Sequence, residues 1–267
     1  MCATFDQAFA LYAEVEMIPR TSTRQLIQLF RDLSIDGVFV KSARAVLLLA
    51  LDRGKPAILK MVHTKQCAEH EGDVWSRLNL DEASAKEHHL VGPLEFLEID
   101  KALLVSEQFR HGDHKSIRWD VLMPKYVCPM TICLNCNPEH VLKWCRHIKI
   151  ALDHMHSVEL CHIDLKLDNI FLDYNGDAFL GDYRGSTLIG HEIREESVGY
   201  FPSDLGTIAT PLIDHLLLIV TALQMCGKWN PIDGPMTSST ILEKLTELDA
   251  SFVLFFGTFG FCKSDNL

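Results

Sequence analysis

The spacing of apolar and polar residues divides the chain into two halves of different texture. In the first half, apolar runs of strand length recur at residues 37–41 (GVFVK), 45–51 (AVLLLAL) and 56–62 (PAILKMV), the last two joined through DRGK. Residues 94–99 (LEFLEI), 102–109 (ALLVSEQF) and 119–126 (WDVLMPKY) alternate or run apolar in the same way and also predict strands. Among these strands Glu71, Val74, Trp75 and Leu78 stand at i, i+3, i+4, i+7, which predicts one amphipathic helix. Residues 79–89 (NLDEASAKEHH) are polar and read as a loop. Ahead of the strands, residues 6–17 and 23–33 read as helices, with Ser22 and Gln25 offering a capping box to the second. Together they form an expected helical extension over residues 1–34.

From Pro138 onward the period changes. Asn137 is a good N-cap with proline at N1, and Val141, Cys145, Ile148, Leu152 and Met155 trace one helical face. Two short strands, NIFLD and DAFLGD, flank Asn175-Gly176, a strong tight-turn signal. A loop is expected over residues 183–206, then an apolar helix over 212–226 (LIDHLLLIVTALQMC). That run is shorter than the roughly 20 residues that span a bilayer and contains Asp214 and His215, so it reads as a buried helix. A Phe-rich stretch, 252–261 (FVLFFGTFGF), suits either core or sticky exposed surface. A strand-rich half followed by a helix-rich half predicts an α+β fold.

Composition narrows the function classes. The 267 residues are 48% hydrophobic and 23% charged, an ordinary globular profile. A net charge of −11 argues against a nucleic-acid binder that works through the phosphate backbone. Asp6, Glu14 and Glu16 fall where a signal peptide needs an uncharged apolar run, and the nine cysteines follow no framework spacing. Both features point to a reducing, cytoplasmic setting without a transmembrane segment. Cys133 and Cys136, with Cys145 and His147 downstream, offer four soft ligands that could hold zinc. Cys145, however, lies on the apolar stripe of the expected helix, so buried thiols are the preferred reading.

The chemistry concentrates in residues 161–186, CHIDLKLDNIFLDYNGDAFLGDYRGS. Asp164, Lys166 and Asn169 share one irregular loop, and the hairpin around Asn175-Gly176 would return Asp182 beside Asn169. Asn169 and Asp182 are hard oxygen donors suited to Mg²⁺, which also binds phosphate oxygens. Lys166 is a cation for a transferred phosphoryl group, and Asp164 is left to orient or deprotonate an attacking hydroxyl. In the first half, Lys60 ends a strand and Glu71 opens the following helix, so a strand lysine can be held by a helix carboxylate. Asp168, Asp173 and Asp177 read as solvent-facing or turn residues.

These motifs, in this order, resemble the protein kinase superfamily over roughly residues 36–226. AILK resembles the family's VAIK, HIDLKLDN its HRDLKxxN, and GDYRG stands where DFG is expected. The resemblance implies a two-lobed fold with an antiparallel β N-lobe carrying one key helix (about 35–126) and a mainly helical C-lobe (about 127–267). It implies ATP and Mg²⁺ as cofactors and a protein substrate. Lys60, held by Glu71, would bind the ATP phosphates, Asn169 and Asp182 the metal, and Asp164 and Lys166 would be catalytic. Met123 becomes the gatekeeper, with Lys125 and Tyr126 in the adenine-facing strand. Lys166, two places after Asp164, matches the Ser/Thr version of the loop. GYFPSD (199–204) resembles the end of the activation segment, with Asp204 for the usual Glu, and Asp214 the aspartate that braces the catalytic loop.

Four departures accompany the resemblance. Residues 35–46 contain only Gly37 where a glycine-rich loop is expected, Ile163 replaces the Arg of HRD, and Arg184 replaces the DFG glycine with Gly185 one place late. The stretch after Asp214 is also shorter than the family's lower lobe, so the helices that would brace Asp204 are expected to be missing or remodelled. Because all six polar side chains are present, the resemblance favours a catalytic kinase. A pseudokinase that serves as a binding or allosteric module and a small-molecule kinase are the competing readings.

Overall fold

Two adjacent positive-φ residues, Arg53 (49°) and Gly54 (78°), close the hairpin that ends in Asp52 and resumes at Lys55, as a two-residue loop between twisted strands requires. The structure, a computed structural model, describes residues 27–30, 33–41, 45–62, 65–92, 95–97, 119–126, 128–132, 136–193 and 199–261. The chain divides between Lys125 and Tyr126 into two compact units.

The N-terminal unit is built on an antiparallel sheet of β1 (Ile27–Phe30), β2 (Leu33–Lys41), β3 (Ala45–Asp52), β4 (Lys55–Val62), β5 (Glu95–Leu97) and β6 (Trp119–Pro124), in the order β1-β2-β3-β4-β6-β5. Helix α1 (Lys65–Leu78) lies against β4 and β6. Its Glu71, Val74, Trp75 and Leu78 are all buried, as the helical spacing requires. Leu48, Ala57 and Leu59 are buried in the facing sheet.

Two expectations change here. Residues 27–30, expected to be helical, form β1, pairing Ile27 with Ile35 across the antiparallel ladder. A run as short as IQLF satisfies either period, and the nine-residue strand beside it decides in favour of pairing. The polar run 79–89 contains a helix, α2 (Glu82–Glu87), rather than a continuous loop. Asp81 accepts from the Ser84 amide (2.7 Å) while Ser84 Oγ accepts from the Asp81 amide (2.9 Å), a reciprocal cap that stabilises a single short turn. The expected helix at 6–17, the Ser22–Gln25 box and the expected strand at 102–109 lie outside the described residues.

The C-terminal unit begins with β7 (Cys128–Pro129) and the long helix α3 (Pro138–Ser157). Asn137 accepts from the Glu139 amide (2.9 Å) and caps α3, whose predicted stripe from Val141 to Met155 is buried. Next come β8 (Leu160–Cys161), β9 (Ile170–Leu172), β10 (Ala178–Leu180) and β11 (Thr187–Leu188). They make a three-stranded sheet ordered β10-β9-β7 and the pair β11-β8. Thus the expected loop at 183–206 carries a short strand held by Cys161 and Leu160. Helix α4 (Pro211–Met225) packs on α3 and on α5 (Ser238–Leu245), and α6 (Ala250–Phe256) follows. Among the described residues no helix is long and apolar enough to cross a membrane.

The Phe-rich stretch is part core and part surface, with Leu254 76% exposed. Phe252 and Phe256 are fully buried, Phe255 and Phe256 both contact Phe259, and Phe259 stacks on His215 at 4.6 Å between centroids. Asp204 is braced by α5, accepting from the Ser238 amide (2.8 Å) and hydroxyl (3.0 Å) at the helix start. The stretch after Asp214 therefore supplies a partner for Asp204. Of the four soft ligands, Cys133 lies outside the described residues and Cys136 is buried. Cys145 is fully buried with its thiol pushed up by burial, and His147 Nδ1 accepts from the Ala178 amide (3.2 Å).

His215 sets a pH dependence for this unit. Burial, joined by His156 and Lys149 and opposed by the Asp214 and Asp153 carboxylates, lowers its pKa to about 4. The unfolded chain therefore binds a proton between its ordinary value of 6.5 and about 4 that the folded one does not, so this group costs stability as pH falls through that window. Urea titrations from pH 7 to pH 4 should show a loss that His215→Gln reduces; an unchanged slope would refute the assignment.

Candidate active site

In the N-terminal unit β4 carries Lys60, and α1 carries Glu71 towards it. Lys60 Nζ donates to Glu71 Oε1 at 2.5 Å with both side chains almost wholly buried. Removing either partner of an ion pair so shielded would leave an uncompensated charge in the interior. Met123, half-buried, stands opposite Ile58 across β4 and β6, and the Lys125 amide donates to the Pro56 carbonyl (3.3 Å). Burial lowers the pKa of the Lys125 ammonium.

In the C-terminal unit Tyr126 packs on Phe179 (5.1 Å) and Phe171 (6.0 Å) of the β9–β10 hairpin, and burial, with Asp173 nearby, raises its phenol. The hairpin itself is locked by Asp173, whose Oδ1 accepts from the Asn175 and Asp177 amides (both 2.9 Å), while Gly176 turns the chain at φ 69°. Trp144 Nε1 on α3 donates to the Gly176 carbonyl (3.0 Å), and Lys143 pairs with Asp177 (2.8 Å). Asp173 and Asp177 thus serve the turn, and Asp168 is exposed.

The loop between β8 and β9 gathers three predicted residues. Lys166 Nζ donates to both Asp164 oxygens at 2.9 Å, and Asn169 Nδ2 donates to the Asp164 carbonyl (2.7 Å) and Oδ2 (3.0 Å). The Gly181 amide donates to the Asn169 carbonyl (2.9 Å), so the hairpin returns its far end to this loop, as its turn signal predicts. Buried His162 donates from Nε2 to the Gly181 carbonyl (3.1 Å) and meets the Tyr183 ring edge-on, a packing role.

Asp214, fully buried at the start of α4, holds the loop from below. Its oxygens accept from the His162 amide (2.8 Å), the Ile163 amide (2.8 Å) and His156 Nε2 (2.8 Å). Ile163 sits at φ 65°, a left-handed conformation that costs a β-branched residue about 1–2 kcal/mol. The bond from its amide to Asp214 offsets that strain.

Asp182 also has a left-handed backbone (φ 59°, ψ 76°) and begins the turn Tyr183–Gly185. Arg184, whose role sequence reading leaves open, forks onto it: Nε donates to Oδ1 (2.8 Å) and Nη2 to Oδ2 (2.7 Å). Gly185 is required by contact. A Cβ there would lie 2.8 Å from the Asp164 Cβ, so the turn rests directly against the loop. The Asn169 amide oxygen and the Asp182 carboxylate suit Mg²⁺ as hard donors, although Arg184 already engages both Asp182 oxygens.

No family model matches the chain. One stretch is 30% identical over 110 residues to serine/threonine-protein kinase 32C of Mus musculus, covering 37% of this chain and 22% of the length of that kinase. Among solved structures the chain is similar to vaccinia related kinase 3, with a TM-score of 0.60 at 13% identity over 90% of this chain and 79% of that one. The chain has a two-lobed α+β fold of the protein-kinase type.

Two substitutions test the supports of the loop. Asp214→Asn removes one of the acceptors facing two buried amides and should cost about 3 kcal/mol in a denaturant titration; a change below experimental error would deny Asp214 its bracing role. Gly185→Ala forces backbone apart at a contact with no flexible end and should cost about 1–3 kcal/mol, read as a lowered thermal midpoint.

Proposed function

We propose that the chain is an ATP-dependent protein kinase that transfers the γ-phosphoryl group to Ser or Thr hydroxyls of a protein substrate. The observation that carries this reading is the bonded set Asp164–Lys166–Asn169 on one braced loop, with Asp182 returned beside it. Lys60, oriented by Glu71, would hold the α- and β-phosphates. Met123, Lys125 and Tyr126 would line the adenine side. Asn169 and Asp182 would hold Mg²⁺, which when bound supplies positive charge to phosphate oxygens. Asp164 would orient the substrate hydroxyl and take its proton as the oxygen bonds to the γ-phosphorus and the bond to the β–γ bridging oxygen breaks. Lys166, which donates to both Asp164 oxygens, would neutralise the phosphoryl group in flight.

A second reading, a catalytically weak or inactive binding module, is favoured by one observation, the Arg184 fork on Asp182. Radiolabelled ATP supplied with Mg²⁺ or Mn²⁺ to the full chain and generic protein substrates separates the two. The kinase reading expects transfer that Asp164→Ala lowers at least about a hundredfold. A folded wild type that transfers nothing at any metal concentration sinks it. Nucleotide-dependent thermal stabilisation without transfer would then support the binding module.

A further inference from the structure

The turn that follows Asp182 carries its own cation. Arg184 is two residues on, its guanidinium reaches both carboxylate oxygens at 2.7 and 2.8 Å, and the two side chains are only 25% and 20% exposed. The geometry is the bidentate one that a planar guanidinium makes best, and the guanidinium stays charged wherever Asp182 is ionised. The backbone on either side is held. The Gly181 amide is bonded to Asn169, Ser186 to Tyr183 (3.0 Å), and Gly185 rests on Asp164. The fork therefore opens by rotation of the Arg184 side chain, not by movement of the turn. Asp182 makes no capping bond to its own turn, and both of its oxygens accept from the guanidinium.

We propose that Arg184 is a tethered counter-cation of Asp182 that competes with a divalent cation for the carboxylate. This rests on the reading of Asp182 as a metal-holding residue in the proposed kinase site. The fork neutralises the carboxylate, covers one lone pair on each oxygen, and would place a second positive charge close to any ion bound there. An incoming divalent cation must displace the guanidinium or bind against its repulsion. Divalent-cation affinity is accordingly lower than the oxygen donors alone would give, and Arg184 sets the cation concentration at which Asp182 becomes available. A charge-assisted bond of this kind contributes enough to weaken the ion by about tenfold or more.

The test needs no turnover. Mn²⁺ suits the same hard oxygen ligands as Mg²⁺, and the free ion is counted by its electron paramagnetic resonance signal. Mn²⁺ is titrated alone, at fixed ionic strength, into the full wild-type chain, Arg184→Gln, Arg184→Lys and the double variant Arg184→Gln/Asp182→Asn. Arg184→Gln should bind at least about tenfold tighter than wild type, Arg184→Lys should fall between them because one ammonium cannot fork, and the double variant should lose the gain. If Arg184→Gln does not fold, Arg184→Lys against wild type and Asp182→Asn decides the matter. Equal affinities, no measurable binding by any variant, or a gain that survives Asp182→Asn overturns the proposal. A chain that transfers no phosphate yet shows the predicted ranking keeps this inference and loses the kinase reading. Transfer with equal Mn²⁺ affinities does the reverse.

Discussion

Asp214 is the charge on which the geometry of the loop between β8 and β9 rests. A carboxylate with no exposed surface is tolerable only when its oxygens are filled, and three donors fill them: two consecutive backbone amides and His156. Those donors come from α3 and from the loop after β8, while the carboxylate comes from α4. One residue therefore ties two helices to the segment that carries Asp164. The same bonds let Ile163, a buried β-branched residue, persist at a positive φ where it would otherwise relax. The apolar surroundings that make α4 a core helix also make those bonds strong, because little water competes for them.

Charges are matched locally in each unit. Glu71 has Lys60, Asp164 has Lys166, Asp182 has Arg184 and Asp177 has Lys143. The first pair is almost fully buried and holds a strand to a helix. The next two are part-exposed and join residues only two apart in sequence, so they stabilise the fold little. Gly185 belongs to the same scheme, since its missing side chain lets the Asp182 turn rest on Asp164.

Much of this was legible in the residues themselves. The spacing in α1 placed Glu71 on a buried face, Asn137-Pro138 marked the start of α3, and Asn175-Gly176 marked the hairpin that brings Gly181 to Asn169. Each signal is local: a period, a cap or a turn that the backbone chemistry of a few residues enforces. What was misread was also local but ambiguous. IQLF at 27–30 fits a helix or a strand equally, and pairing with β2 decides it. The polar run after Leu78 hid a capped helical turn, because Asp81 and Ser84 act through a reciprocal bond that hydropathy does not register. The Phe-rich stretch could not be assigned to core or surface until Phe256 and Phe259 were seen packed beside His215.

By itself, then, the sequence determined the buried face of α1, the capped start of α3 and the turn that brings Gly181 to Asn169, because these depend on interactions over a few positions. Only the tertiary structure decided that Asp214 reaches back to two amides about fifty residues earlier, that Asp204 meets Ser238, and that Arg184 turns onto Asp182 and not into solvent. Distant partners are chosen by how the helices pack, and a side chain's rotamer by the charges it meets there. Neither is written in spacing along the chain.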